Sequence, residues 1–484
     1  MHNLSPGRIC QRGISSATDQ SPLFLRKLLR GSGRNHPPVL RFGGRVSKVF
    51  LLTLTLILIF LPGGCHGPLR FQKKMDRLSA PPKKNSSIHK EGIMTPTDPD
   101  SSPKTTGDKP RLLILAQLPP PTHGVTVMSQ AVCDSGVLKE KFNIFVLPIR
   151  FAASIQEFGR NNVRKLLRLL LLAAQLVYRC LTFKPDLVYF TLVPTGMPFY
   201  RDFMLLTLIK WLGIRPVLHL HGLGIQAASS RWIHRFLYRR AFHGVDVIHL
   251  SPLLFYDIEE YVPLARTYFL ANGIPWKHIK PELSADRPPQ ADSIRFLFFS
   301  NITEEKGPLD FIKALGILKS KGIQFRGIVA GAIASQECFN EITILIKQFN
   351  LDTIVKYVGP KFGSDKDALF ASADVFVFPT HRDSFPVVLL EAMAHALPII
   401  ASAEGAIPAI VDDGITGIVF PKKNMEKLVV ALELFTKDKV LCRDMGRSGR
   451  DRFLERFKIE TFENNLSDIF ATCLQQSGTQ KSRP

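Results

Sequence analysis

From residue 111 to residue 474 the chain alternates between short apolar runs, rich in β-branched and aromatic residues, and longer stretches in which apolar positions recur at helical spacing. Arg111 to Gln117 (RLLILAQ), Ile144 to Leu147, Leu187 to Thr191, Val217 to Leu220 and Val247 to Leu250 are predicted as strands, apolar enough to be buried on both faces. Arg295 to Ser300 (RFLFFS), Gly327 to Ala330, Val355 to Gly359, the run from Val375 and the run ending at Ile399-Ile400 form a second set. Strands separated by helices in this way build parallel sheets covered on both faces. Pro281 to Ser293 (PELSADRPPQADS) is polar and Pro-rich and reads as a linker able to hinge. The pattern therefore predicts one α/β domain over residues 111–280 and another over 294–474. No repeat at a solenoid period is present.

Residues 1–110 follow another rule. Residues 1–48 are rich in Arg, Ser and Gly, with Asp19 as the only acid, and run into the thirteen apolar residues Val49 to Leu61, which end at Pro62-Gly63-Gly64-Cys65. A bilayer span takes about 20 residues. A basic segment before a short apolar one has the form of a signal peptide or signal anchor. Three readings stay open: an uncleaved anchor, a misassigned start with Met94 as the true beginning, and a cleaved signal. Leu78 to Pro110 is Pro, Ser, Thr, Lys and Asp, unable to bury a core, and is expected to be a disordered linker.

The formal charge of +22 is unevenly placed: residues 1–110 hold 18 basic and 6 acidic side chains, 111–290 hold 21 and 11, and 291–484 hold 24 of each. The front half is thus expected to meet a polyanionic surface, either a membrane or a nucleic acid. A nucleic acid is disfavoured, because no interleaving of aromatic and basic residues and no reading motif accompanies the charge. The seven cysteines are scattered without a C-x-x-C pair, which argues against a disulfide framework or a zinc site.

The chemistry concentrates in Val375 to Ser402 (VFVFPTHRDSFPVVLLEAMAHALPIIAS), a strand, loop, helix and strand whose loop opens at the carboxyl edge of a parallel sheet. Ligands of such sheets bind at that edge. With Pro386 as first helical residue, free backbone N–H groups and the positive end of the helix dipole are expected near Ser384, a setting for an anion. Asp383 lies in the loop and Glu391 about one and a half turns inside the helix, spaced to touch different parts of one extended ligand. This stretch resembles the E-x7-E signature of retaining glycosyltransferases of family four, of the GT-B fold class, with Asp383 where that family usually has its first Glu. The resemblance implies two Rossmann-like parallel-sheet domains facing a cleft, here preceded by a basic N-terminal extension.

Other residues fall in with the same resemblance. Asn301 to Gly307 (NITEEKG) is similar to a Gly-Arg-x-x-x-x-Lys-Gly turn in which Arg and Lys hold the donor's phosphates; Lys306 is in place and Asn301 stands for the Arg, which removes a bidentate contact. Gly124, after Pro119-Pro120-Pro121-Thr122-His123, could let a ligand approach the backbone. His219-Leu220-His221-Gly222 ends a strand, and the resemblance matches His221 to a histidine near the transferred sugar. Asn272-Gly273-Ile274-Pro275 is similar to the turn closing the first domain, which Asn-Gly turn chemistry explains equally well. Asp365-Lys366-Asp367 invites a metal reading; Ser364 followed by Asp367 is instead expected to cap a helix. Ala409 replaces a Glu common in the family.

The resemblance implies transfer of a sugar, with retention, from a nucleotide sugar to the hydroxyl of a sugar or lipid-linked acceptor, in polysaccharide or glycolipid assembly, without a metal or other cofactor. In it Lys306 and the helix start at Ser384 and Phe385 stabilise the leaving diphosphate, Glu391 holds the ribose hydroxyls and Asp383 contacts the sugar. The catalytic set expected is His221, Lys306, Asp383 and Glu391; Gly124, Asn301, Lys306, Ser384, Phe385 and Glu391 are expected to bind the donor. The alternative is a GT-B protein without transferase activity, epimerase-like or a scaffold, favoured by Asn301, Asp383 and Ala409. The place expected is the cytoplasm, peripheral to or anchored at the cytoplasmic face of a membrane. Arg160 to Arg179 (RNNVRKLLRLLLLAAQLVYR) is the candidate for docking on an anionic surface, with a core helix as the competing reading.

Overall fold

The computed structural model describes residues 109–120, 124–149, 162–275 and 293–481. The apolar run 49–61, the linker 281–292 and Arg160 lie outside them. The first sheet has six parallel strands: β1 (Arg111–Ala116), β2 (Asn143–Pro148), β3 (Leu187–Leu192), β4 (Pro216–Leu220), β5 (Asp246–His249) and β6 (Thr267–Phe269), in the order β2-β1-β3-β4-β5-β6. Its helices are α1 (Gly124–Asp134), α2 (Gly136–Lys141), α3 (Asn162–Phe183), α4 (Gly196–Trp211), the short α5 (Ile225–Ala228) and α6 (Trp232–Phe242). Five predicted strands thus recur within a residue or two. β6 was hidden in the approach to the Asn-Gly turn, too short at three residues to show a period.

The second sheet is parallel as well: β7 (Ile294–Phe299), β8 (Phe325–Ala330), β9 (Val355–Tyr357), β10 (Val375–Phe378), β11 (Ile399–Ser402) and β12 (Gly417–Phe420), in the order β12-β11-β10-β7-β8-β9. Around it lie α7 (Pro308–Ser320), α8 (Gln336–Gln348), α9 (Gly363–Ser372), α10 (Val387–Ala394), α11 (Ile407–Ile410), α12 (Met425–Lys437) and α13 (Lys439–Arg456). β10 and β11 are buried along their whole length, as their unbroken apolar sequences require. Two predicted caps shift. Pro386 is the N-cap of α10, with Val387 first in the helix. α9 starts at Gly363 after Phe362, which makes no side-chain cap, so Ser364 lies inside the helix.

The last helix, α14 (Ile459–Lys481), crosses back to the first sheet. Phe462, Leu466, Phe470 and Cys473 join the core of Leu112, Ile114, Met128 and Val132, and the Phe470 ring stands edge-on to Phe142 at 5.8 Å and to Tyr189 at 5.5 Å. Each such buried Leu or Phe contributes about 1.5–3 kcal/mol, so α14 is part of the first domain's core. The crossing explains Gly273. A Cβ there would stand 2.6 Å from the Lys458 carbonyl oxygen, and Ile274 pairs with Lys458 through Ile274 N–H to Phe457 O (3.0 Å) and Ile459 N–H to Ile274 O (3.0 Å). The turn is therefore set by close backbone approach. Leu250, Leu254 and Ile274 pack into the core of the second sheet, so the two carboxyl edges meet.

Candidate active site

The second-domain candidates follow the carboxyl ends of β7 and β10, all of them on loops except Glu391, which lies in α10. After β7, Ile302 N–H donates to Ala332 O (2.8 Å), and a single 3-10 turn, Glu304–Lys306, ends at Gly307 in the left-handed region (φ 77°). A Cβ on Gly307 would lie 2.0 Å from the Pro379 carbonyl oxygen, so glycine alone lets this turn press against the loop after β10. The Glu305 carbonyl then accepts from His381 N–H (2.7 Å), Arg382 N–H (3.2 Å) and the Thr380 hydroxyl (3.0 Å). His381 Nε2 also meets Asp310 Oδ2 at 2.7 Å. Two loops more than seventy residues apart in sequence thus form one rigid edge.

That edge brings Lys306 to Asp383. The ammonium donates to Asp383 Oδ2 (2.7 Å) and to Arg382 O (3.3 Å), while Asp383 Oδ1 accepts from Phe385 N–H (3.2 Å). Here the structure corrects an expectation: the Phe385 amide is engaged by Asp383 and Pro386 has none, so the open amides at the start of α10 belong to Val387 and Val388. The Phe385 side chain is buried against Phe457, and the Ser384 carbonyl accepts from Ala406 N–H (2.9 Å). Both residues hold the loop's shape through their backbone and core contacts. Gly405 (φ 54°) closes it from the third loop, where a Cβ would stand 2.1 Å from Asp383 O. Asn301 is exposed at the end of β7.

Glu391 lies in the second turn of α10, and its Oε1 accepts from Lys366 Nζ of α9 at 2.6 Å. Burial raises the Glu391 pKa and the Lys366 ammonium opposes that rise. Lys366, noticed in the sequence only as the middle of Asp365-Lys366-Asp367, is thus the cation serving the second carboxylate. Local sequence carries no sign of it, because the pair spans two helices. Arg452 reaches α11 from α13, donating to Ala409 O and Ile410 O (both 2.9 Å) and pairing with Asp412. The turn around Ala409 is held by its backbone.

On the first domain, the start of α1 faces α10: a Cβ on Gly124 would stand 3.8 Å from Val387 Cγ2. His219 is wholly buried, its Nδ1 2.7 Å from the Tyr189 hydroxyl, and the half-buried His221 ring lies 4.0 Å from it. Burial, then the neighbouring His221 and His249, push His219 well below the ordinary histidine range, so it is neutral near pH 7. The loop after His221 is fixed by a residue the sequence did not reveal. The buried Asp257 carboxylate accepts from Gly224 N–H (3.0 Å), Ile225 N–H (3.2 Å) and Gln226 N–H (2.9 Å). It caps α5 from 32 positions away, beyond any local motif.

Two α/β domains with parallel sheets, joined edge to edge and closed by a returning terminal helix, make this a GT-B fold. Over residues 279–452 the chain matches the family described as Glycosyl transferases group 1. It is 29% identical over 182 residues to the capsular polysaccharide biosynthesis glycosyltransferase CapM of Staphylococcus aureus, a match that covers 37% of this chain and 46% of the relative. It is 32% identical over 163 residues to the D-inositol 3-phosphate glycosyltransferase of Paenarthrobacter aurescens, 33% of this chain and 40% of that one. The chain thus spans less than half the length of either relative. The fold is shared with Anabaena Alr3699/HepE in complex with UDP (TM-score 0.60, 17% identity, 75% of this chain and 100% of that chain).

Proposed function

We propose that this chain is a retaining glycosyltransferase that moves a sugar from a nucleotide sugar to an acceptor hydroxyl at the cytoplasmic face of a membrane. The observation that carries the reading is the pair Asp383 and Glu391, eight positions apart at the carboxyl edge of β10, each bound by a lysine from another element. In this reading a donor diphosphate competes with Asp383 for the Lys306 ammonium and takes the open amides of Val387 and Val388. Glu391 accepts hydrogen bonds from the ribose hydroxyls. Asp383, released from Lys306, accepts from hydroxyls of the transferred ring, and His221 approaches that ring from the first domain.

The acceptor oxygen bonds to the anomeric carbon as the bond to the diphosphate oxygen breaks, and the acceptor's proton passes to the departing diphosphate. Negative charge grows on that oxygen beside groups fixed in advance, which is where such sites gain most of their rate. No carboxylate acts as a covalent nucleophile and no metal takes part in this scheme, in contrast to two-carboxylate hydrolases. Likeness to a capsular polysaccharide enzyme favours a growing polysaccharide or a lipid-linked sugar as acceptor, and likeness to a fold seen with UDP makes UDP sugars the first donors to try.

A thermal-shift screen against UDP, GDP, ADP and their sugars tests the donor half, since a ligand of the folded state at 100 times its Kd stabilises by about 2.7 kcal/mol. NMR of the product's anomeric proton tests retention. Inversion would overturn the mechanism. Donor binding with no transfer to any sugar or lipid-linked acceptor would leave the scaffold reading, which Asn301 in place of an arginine favours.

A further inference from the structure

Three helices of the first domain carry exposed apolar side chains beside exposed arginines. α3, α4 and α6 each run from the end of one parallel strand to the start of the next, so all three begin at the carboxyl edge, where the candidate active site lies. They pack side by side, α3 on α4 and α4 on α6. On α3, Leu172, Ala173, Leu176, Val177 and Cys180 are buried in the domain, while Leu166, Leu167 and Leu171 on its first turns are each more than half exposed. α3 is long and apolar enough to cross a bilayer by length and composition, but one side of it is taken up by the domain. On α4, Met197 is 78% exposed and Tyr200 is open beside α6, its hydroxyl 3.1 Å from His234 Nε2. On α6, Trp232 is 77% exposed, with Ile233 and Phe236 open next to it.

The same surface is cationic. α6 holds Arg235, Arg239 and Arg240, with Arg231 directly before it. Glu260 faces Arg235 (3.6 Å) and Arg239 (3.4 Å), whereas Arg231 and Arg240 have no acidic partner among the described residues. The Arg240 guanidinium lies 5.6 Å from the Phe236 ring centre, which corrects the expectation that aromatic and basic residues are not interleaved in this chain. Arg168 adds an exposed cation on α3; the side chains of Arg164 and Lys165, in the cluster singled out in the sequence, lie outside the described residues, as does Arg160.

We propose that the first turns of α3, α4 and α6 dock on an anionic lipid surface, with Trp232 and Phe236 inserted at the headgroup level and the arginines against lipid phosphates. Open Trp, Tyr, Leu and Met among arginines is the composition of a surface that lies in a bilayer interface, since the rings enter the acyl boundary while the guanidinium groups stay at the phosphates. A nucleic acid would use the charge but leave Leu166, Leu167 and Met197 in water. Docking here sets the His221 loop beside the bilayer, so that, if the transferase reading holds, the acceptor would be a lipid-linked sugar. The test reads binding rather than transfer and stands apart from that reading.

The full chain has three tryptophans, Trp211, Trp232 and Trp276. In the Trp211→Phe, Trp276→Phe protein the remaining Trp232 reports its own surroundings, whatever the basic extension does. With vesicles of phosphatidylglycerol and phosphatidylcholine carrying brominated acyl chains, its emission should move to shorter wavelength and be quenched; with phosphatidylcholine alone it should not. Changing Arg231→Gln and Arg240→Gln together should weaken the quenching titration about thirtyfold at low salt, from roughly 1 kcal/mol per cation. The proposal is overturned if the protein ignores anionic vesicles, if it sediments with them while Trp232 stays unquenched, or if the double variant titrates like the parent. A blue shift that grows with protein concentration in the absence of lipid would also overturn it, in favour of a second copy of the chain on this face.

Discussion

The two carboxyl edges that meet in this protein are built from the same kind of sheet and filled in opposite ways. The first edge offers no open charge: His219 and His249 are buried at the ends of β4 and β5, both pushed toward the uncharged form, and of the carboxylates beside them Asp257 is spent on backbone amides and Asp202 on Arg201 and the Val193 amide. The second edge is a set of ion pairs, Lys306 with Asp383, Lys366 with Glu391 and Lys422 with Glu404 (2.6 Å). A neutral edge suits a group whose hydroxyls are read by hydrogen bonds. An edge of exchangeable ion pairs suits a ligand that carries charge, because an incoming anion takes over a cation already in position.

The comparison breaks most severely if the second edge's charges are idle. Lys306→Ala and Glu391→Gln should each lower turnover by a factor of about 100 to 1,000, the loss seen on removing a strong transition-state donor, roughly 2.7–4 kcal/mol. Steady-state rates with the donor found in the screen check this, and wild-type turnover in both variants removes the ion pairs from catalysis.

On the neutral edge, burial lowers His249 to about 4, and its Nδ1 accepts from Leu250 N–H at 2.9 Å. The unfolded chain binds that proton below about 6.5, so the stability contributed by the neutral form is complete above pH 6.5 and lost as pH falls toward 4, about 3 kcal/mol in all. His219 acts in the same direction. Thermal melts from pH 7.5 to 4.5 should therefore fall more steeply for the parent than for His249→Asn. Parallel curves would mean that the edge tolerates charge.

Gly307→Ala sharpens the contrast between steric and conformational demands. Gly322 has nearly the same φ (71° against 77°), but nothing lies within 4 Å of its added Cβ, whereas that of Gly307 would meet Pro379 O. Gly322→Ala should cost about 1–2 kcal/mol of stability from the left-handed backbone alone. Gly307→Ala should cost clearly more and weaken donor binding; equal denaturation midpoints would show that the loops after β7 and β10 separate freely.

The smallest expected effect is a displacement. Lys366→Met removes the cation that opposes the raised pKa of Glu391, so the carboxyl holds its proton to higher pH. The acid limb of donor binding should then move to higher pH while the alkaline limb stays. An unmoved limb would reduce Lys366 to a structural neighbour.

Sequence alone located the edges, because buried parallel strands show as unbroken apolar runs and the loops between them carry polar residues that nothing else explains. Asp383 and Glu391 were singled out by their spacing and Lys306 by its resemblance to a phosphate-holding turn, and Lys306 and Asp383 do meet. What stayed hidden depends on distance in sequence. The Lys366 to Glu391 pair joins two helices and Asp257 caps a helix 32 positions before it, whereas the Asp383 bond to the Phe385 amide, two residues on, is a local Asx turn that the sequence reading passed over. Two helix starts were also misplaced. Pro386 is the N-cap rather than the first helical residue, and the N-cap of α9 lies two residues before Ser364.

The returning helix α14 also dictates an order of events during synthesis. Phe462, Leu466 and Phe470 complete the core that Leu112 and Ile114 begin. The domain translated first is therefore finished last. At 5–20 residues per second, the roughly two hundred residues between β6 and the end of α14 take about 10–40 s to emerge. Throughout that interval one face of the first sheet waits on the ribosome without its cover, while the second sheet, whose core needs nothing from α14, is free to close. A nascent chain of this design has reason to recruit a chaperone to its older half, and any truncation that spares the whole second domain but removes the final twenty residues would damage the first.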